Sequence, residues 1–281
     1  MALNPLPHKI KKRKSILTGR FEVRNGRTTL VDRFHQTPLK ISKTHVLENT
    51  KQLYICVMDC SPGMLDGDEY DIQMDLGEQT EVYLTNQAYT KIHPSQGNEV
   101  KLNQRFELKK GALLEFFPEP TVPFAYSRFH GESTFHLEED SSLVTSEILT
   151  PGRIHLGERF DYESFTNTMK VYRKNKLIAW DRFHLNPSKH QFETWGAFEN
   201  YTHMGTFWIF SKYVSEHLLQ LIRDSLSESP NILAGASFTC EQGICVRMLG
   251  YKAWELQQCN HNLWSFWREY VYKQPVPLIR K

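Results

Sequence analysis

The chain has 281 residues, 40% hydrophobic and 23% charged, with 34 Lys and Arg against 32 Asp and Glu and a formal net charge of +2. Such a composition excludes wholesale disorder, and a charge this near neutral gives no bulk electrostatic reason to bind nucleic acid. The length suits one large β domain or two modest ones, and 17 Phe and 12 Tyr lean the reading toward strands.

Lys9, Lys11, Lys12, Arg13 and Lys14 make residues 1–18 a basic arm, read as a solvated terminus because residues 15–22 lack the apolar run of a secretory signal. Five cysteines without an export signal fit a reducing compartment, so a cytoplasmic location is expected. Asn25-Gly26 between residues 21–24 and 27–31 predicts a type I′ hairpin. Residues 71–76 alternate, with Ile72, Met74 and Leu76 on one face and Asp71, Gln73 and Asp75 on the other. Further strands are predicted over 81–85, 100–108, 112–117, 133–137, 143–149, 159–165, 169–172 and 177–185. They are separated by turn residues such as Gly77, Lys110-Gly111 and Pro151-Gly152. Many short strands at regular spacing define a mainly β unit, a sandwich, barrel or β-solenoid, and no sequence repeat chooses among them.

The pattern changes near Tyr201. Tyr213, Val214, Leu218, Leu221, Ile222 and Leu226 share one helical face, and a second helix is predicted over 251–270. The run Thr206-Phe207-Trp208-Ile209-Phe210 is far too short to span a membrane. With no Pro/Ser linker, residues 19–200 form a β-rich core on which a helical C-terminal portion, 201–281, packs as one unit. Trp254, Trp264 and Trp267 are candidates for a partner-binding surface, although a helix pair packed on a sheet would bury most such rings.

Common catalytic patterns are absent: there is no phosphate loop, dinucleotide fingerprint, nucleophile elbow or HExxH pair. The stretch from Asp66 to Asp71 fails as a calcium loop, since Asp71 stands where Gly is needed and Gly77 where Glu is needed. Cys56 and Cys60, with Cys240 and Cys245, have loose zinc-ligand spacing, but Cys56 reads as a small hydrophobe within a buried strand. What remains is a set of polar residues at turns and strand ends. Asp68 follows the Gly63–Gly67 bend, Gln87 and Lys91 share a side if extended, Glu147 precedes Pro151-Gly152-Arg153, Glu158 follows Gly157, and Asp181 adjoins Arg182. His93 and His155 sit beside two of these turns. Each has a plain explanation: an Asx turn at Asp68, pairing of Glu158 with Arg153 or Arg182, a surface ion pair at Asp181, a solvated or core histidine. Two carboxylates also keep a glycosidase-like hydrolase open, and the C-terminal aromatics keep open an interaction module with no metal role.

These turns resemble, in order, the motifs of the UreD (UreH) family of urease accessory proteins. Gly67-Asp68, Thr85-Asn86-Gln87-Ala88, Gly111-Ala112 with Leu114-Glu115, and Pro118-Glu119-Pro120-Thr121 each match a family segment. So do Gly152-Arg153 with Gly157-Glu158 and Phe160, Asp181-Arg182 with Leu185 and Pro187, and Val246-Arg247 with Leu249-Gly250. Pro62, Asn86 and Glu119 depart from the family pattern. The resemblance implies a non-enzymatic scaffold that binds apo-urease with UreF-like and UreG-like partners, leaves room for a homodimer within that complex, and helps nickel reach the urease active site. It implies no permanently bound cofactor, transient nickel, and GTP only through the partner GTPase; no nucleic acid or membrane is involved. Asp68, Glu147, Glu158 and Asp181 are then the candidates to line a nickel route, with Gln87, Lys91, Arg153 and Arg182 fixing their geometry.

Overall fold

The computed structural model describes residues 13–277 and 279, apart from 43, 49 and 228–230. Lys9, Lys11 and Lys12 of the basic arm lie outside the described residues, whereas Arg13 and Lys14 already belong to the first strand.

Strands β1 (Arg13–Arg24) and β2 (Arg27–His35) form the predicted hairpin; Asn25 and Gly26 both adopt left-handed φ, 51° and 72°, as a type I′ turn requires. β3 (Leu39–Ile41), β4 (His45–Val46) and β5 (Leu53–Asp59) follow. Next come β6 (Asp68–Leu76), β7 (Glu81–Asn86), β8 (Thr90–Ile92), β9 (Val100–Leu108), β10 (Leu113–Phe117) and β11 (Thr121–Pro123). β12 (Arg128–Leu137), β13 (Ser142–Leu149), β14 (Ser164–Arg173) and β15 (Lys176–Leu185) complete the first two-thirds. Then come β16 (His203–Phe210), α1 (Glu216–Ser227), β17 (Leu233–Thr239), β18 (Gly243–Gly250) and α2 (Ala253–Tyr272).

One sheet has the order β15-β14-β12-β9-β6-β1-β2 and the other β17-β18-β16-β13-β10-β7-β5-β3, with β4, β8 and β11 attached beside it. The chain passes back and forth between them. β6, β9, β12 and β14 land in parallel register in the first sheet, and β5, β7, β10 and β13 do so in the second. Of the architectures the strand spacing left open, this is the solenoid: each parallel neighbour is reached through the opposite sheet instead of through a crossover helix. The turns stack as the strands do. The Gly77, Gln79 and Gly111 amides donate to the carbonyls of Phe21, Lys110 and Glu139 at 3.0, 3.0 and 3.1 Å. Gly111 has φ +67°, and a Cβ there would run into the Gln79 side chain, so this turn needs glycine. Antiparallel strands finish both sheets: β2 and β15 on the first, β16, β18 and β17 at one end of the second and β3 at the other.

Between the sheets lies the main core. Stacking in register brings like side chains together: Phe106 and Phe135 lie 4.7 Å apart by ring centroids, Phe129 and Phe165 4.9 Å. A second core forms on the outer face of the larger sheet, where Phe207, Ile209, Ile244 and Val246 meet Leu218, Ile222, Leu256 and Leu263 of the two helices. This explains the unbroken apolar run 206–210: it is β16, buried on both faces, so period-2 alternation is lost. Residues 201–281 thus contribute three strands as well as the two helices.

Two expectations need correction. The strand predicted over 159–165 starts only at Ser164; Phe160 adopts φ 58° and turns its ring against Phe192 and Phe198 instead. Trp264 and Trp267, taken as partner-binding candidates, are 3% and 0% exposed and belong to the second core, whereas Trp254 is 61% exposed. Among the described residues no helix is long and apolar enough to cross a membrane.

Candidate functional site: a polar layer between the sheets

Strand side chains alternate faces, so each sheet presents the solenoid interior with rows of residues running across the strands. Most rows are apolar, and one level is not. In the first sheet Asp181, Met169, Ser133, Gln104 and Ile72 stand in register, next to the row Phe183, Asn167, Gly131, Leu102 and Tyr70. In the second sheet Glu147, Thr206 and Arg247 stand in register across β13, β16 and β18. Facing one another, these rows make a polar layer inside an otherwise apolar sandwich.

Polar contacts cross the gap. Asn167 Nδ2 donates to Glu147 Oε2 at 2.8 Å, and Arg247 Nη2 donates to Asp181 Oδ1, each bond joining one sheet to the other. Ser133 Oγ donates to Gln104 Oε1 at 3.0 Å along the layer. Further along, the Tyr70 hydroxyl donates to Asp59 Oδ2 at 3.1 Å. A Cβ at Gly131 would collide with Asn167 Oδ1, so the glycine makes room for the amide that reaches Glu147.

Two cavities open in this layer. One of about 60 Å³ is lined by Glu147, Asn167, Thr206, Gln104, Asn86 and Thr90, among others; the second, about 90 Å³, is lined by Asp59, Ser61, Tyr70, Gln87 and Lys91. They share Asn86, Thr90, Leu102 and Gln104, so they adjoin across those residues. Each has room for several waters, which need about 10–15 Å³ apiece, or for a partly hydrated ion. Burial pushes the Glu147 carboxyl up to about 7; Asn167's donated hydrogen bond opposes this and the nearby Asp181 charge adds to it.

The candidates from the sequence fall into four places. Glu147 and Asp181 both point into the layer from opposite sheets, each held by a residue of the other sheet, Asn167 and Arg247 respectively. Gln87, Lys91 and Arg153 come together on one open groove of about 500 Å³ beside the second cavity. There Arg153 stacks 4.0 Å over the Phe124 ring and pairs with Glu158, which also accepts the Ala125 amide at 3.2 Å. The Arg153 hydrogen bond holds the Glu158 carboxyl below its usual value. Asp68 begins β6 and accepts the Leu65 amide at 2.8 Å, capping its own turn; burial raises its carboxyl pKa despite that bond and Arg13 nearby. Arg182 is the displaced one. It lies on the exposed outer face of β15, opposite to Asp181, because adjacent strand residues point to opposite faces, and Arg247 takes the place expected of it. His93 contacts the Pro62 carbonyl at 3.2 Å and packs on Phe124, while His155 is exposed in a 3-10 turn.

Among the described residues no three His, Cys, Asp or Glu side chains converge as a metal cluster. The four cysteines of the loose zinc spacing are scattered: Cys56 sits in the second core, Cys245 in the first, and Cys60 and Cys240 at the surface. Asn167 and Gln104 line the layer although pattern reading did not single them out, and Arg247 was noted only within the Val246-Arg247 motif. The signal for the two amides was parity. Asn167 falls between Phe165 and Met169, and Gln104 between Leu102 and Phe106, each a polar residue on the buried side of its strand.

The fold and the layer together define a mainly β, solenoid-like protein with carboxylates set singly along a polar interior. Sequence comparison makes the class specific. Residues 14–281 match the family model described as UreD urease accessory protein. Relatives named urease accessory protein UreD include one from Acetivibrio thermocellus, 33% identical over 85% of this chain and 91% of that protein. Another, from Lysinibacillus sphaericus, is 33% identical over 82% and 86%, and one from Bacillus cereus is 25% identical over 92% and 94%. The chain belongs to the UreD urease accessory protein family.

Proposed function

We propose that this chain is a urease maturation scaffold whose interior polar layer passes nickel toward apo-urease. The family gives the setting, and the layer of separated carboxylates joining two adjoining cavities carries the reading. A conduit for a divalent cation needs carboxylates spaced singly or in pairs, because three or four carboxylate, imidazole or thiolate ligands closed around the ion would retain it. Glu147 lines the first cavity and Asp59 the second, the side-chain amides of Gln104 and Asn86 line both, and Asp181 lies close enough to Glu147 for its charge to be felt there. The groove holding Gln87, Lys91, Arg153 and the Arg153–Glu158 pair is a rigid, charged mouth beside the second cavity. In this reading UreF-like and UreG-like proteins and apo-urease bind the outside, GTP is hydrolysed by the partner GTPase, and the complex works in the cytoplasm.

The test is urease matured in cells carrying Glu147→Ala in this chain. Nickel per urease active site should fall severalfold, while the variant still co-purifies with urease and its accessory partners. Full nickel occupancy in an assembled complex would defeat the conduit.

A further inference from the structure

Arg247 sits at the outer end of the row Glu147, Thr206, Arg247, and its partner Asp181 arrives from the opposite sheet. The pair is asymmetric: the Arg247 side chain is 50% exposed and that of Asp181 is 11% exposed. The guanidinium also lies 5.3 Å over the Phe183 ring and 5.9 Å over Trp208, a platform along which it can move outward without losing all its contacts. Between the two acids stands Thr206, 2% exposed, whose Oγ1 faces the Glu147 cavity and has no hydrogen-bond partner among the described residues. A buried hydroxyl left unbonded costs free energy and marks a place where a ligand oxygen or a cation belongs. Two carboxylates here share one counter-ion, since Asp181 has Arg247 while Glu147 has a neutral amide.

We propose that Glu147, Asp181 and Thr206 Oγ1 form a transient oxygen site for a divalent cation, and that Arg247 is a tethered counter-ion which keeps it closed until the cation displaces it. This rests on the conduit reading and adds its regulation. The exchange balances charge: a +2 ion neutralises both carboxylates, any proton held by Glu147 leaves to solvent, and Arg247 moves its +1 charge to solvent, where it is hydrated. Because every binding event must expel Arg247, the site holds the ion weakly, and the returning guanidinium helps to release it. Three oxygen donors without a thiolate or imidazole favour such weak, exchangeable binding.

The experiment is calorimetric titration of the full chain with Ni²⁺ alone. Arg247→Ala should tighten binding at least tenfold over wild type, and adding Glu147→Gln or Thr206→Val to it should abolish the gain. Guanidinium chloride at low, non-denaturing concentration should restore weak binding to Arg247→Ala, whereas equal NaCl should not. If Arg247→Ala loses stability, Arg247→Gln, which keeps much of the packing without the charge, gives the same comparison. Unchanged Ni²⁺ affinity in folded Arg247→Ala or Arg247→Gln overturns the proposal, as does loss of affinity. That failure is separable from failure of the conduit, which is read from the nickel content of urease matured with Glu147→Ala.

Discussion

Glu147 carries an acid whose folded pKa stands near 7 against an ordinary value near 4.5, because burial disfavours its charge. The folded state therefore binds the proton more tightly than the unfolded chain does. The contribution is fully favourable below the unfolded pKa and is lost as pH rises through about 7. Glu147→Gln, which keeps an acceptor for Asn167, should then be close to neutral in stability at acid pH. It should be stabilising by up to about 3 kcal/mol at pH 8, as read from urea unfolding at the two pH values. A flat difference between pH 5 and pH 8 would contradict this environment. Gly131→Ala provides a second residue-scale test. Its Cβ displaces Asn167, the group whose donated hydrogen bond restrains the Glu147 pKa, so the Glu147 carboxyl should titrate still higher by carbon-detected NMR. At this scale the sequence was legible wherever local geometry decides: Asp68 caps its own turn and Glu158 pairs with Arg153, both plain readings of adjacent residues. The partner of Asp181 was not legible, because Arg247 lies 66 positions away and only the meeting of two sheets brings it near.

Helix α2 illustrates what periodicity does and does not reveal. Leu256, Asn260, Leu263, Trp264 and Trp267 recur at helical spacing and form its buried stripe, with Trp254 off that stripe and exposed. The same spacing was present in the sequence, so burial of Trp264 and Trp267 followed from it; aromatic abundance alone pointed the wrong way. Periodicity gave no hint of the polar anchor at the same face. Arg268, 3% exposed, donates from Nη1 to Glu115 Oε2 at 2.7 Å and to Gln52 Oε1 at 3.0 Å, and Gln52 Nε2 donates to the same Glu115 oxygen at 2.7 Å. Three segments far apart in sequence meet there, so the anchor fixes where α2 lies on the sheet. Arg268→Met leaves Glu115 buried without its counter-ion and should cost about 3–5 kcal/mol in urea unfolding. Glu115→Leu combined with Arg268→Met should recover most of that loss, since removing both charges together avoids the unpaired one. If the double variant is no better than the single, the cost lies in packing, not in charge.

Over the whole molecule, alternation is the same in a sandwich and in a solenoid, which is why short strands and turns were placed well while the architecture stayed open. Parallel pairing such as β6 with β9 or β12 with β14 joins residues some 30 positions apart, and nothing local encodes it. The interior, once assembled, is an economical apolar core except at one level. That exception costs stability, since polar side chains between sheets bury area without the full hydrophobic gain and need partners to be tolerated. Gln104 and Ser133 satisfy each other at the centre of the layer. Replacing both at once by Gln104→Leu and Ser133→Ala removes donor and acceptor together, so no polar atom is orphaned, and apolar packing continues from the neighbouring Phe106 and Phe135 row. If the layer serves only to hold the sheets, this change should be neutral and leave urease maturation intact. If it is kept open for passage, the double variant should melt at the same or a higher temperature while nickel delivery to urease falls, a trade of function for stability. Thermal unfolding, together with nickel content of urease from cells expressing the variant, separates the two: a variant at least as stable as wild type that still loads urease fully would mean that the layer is structural.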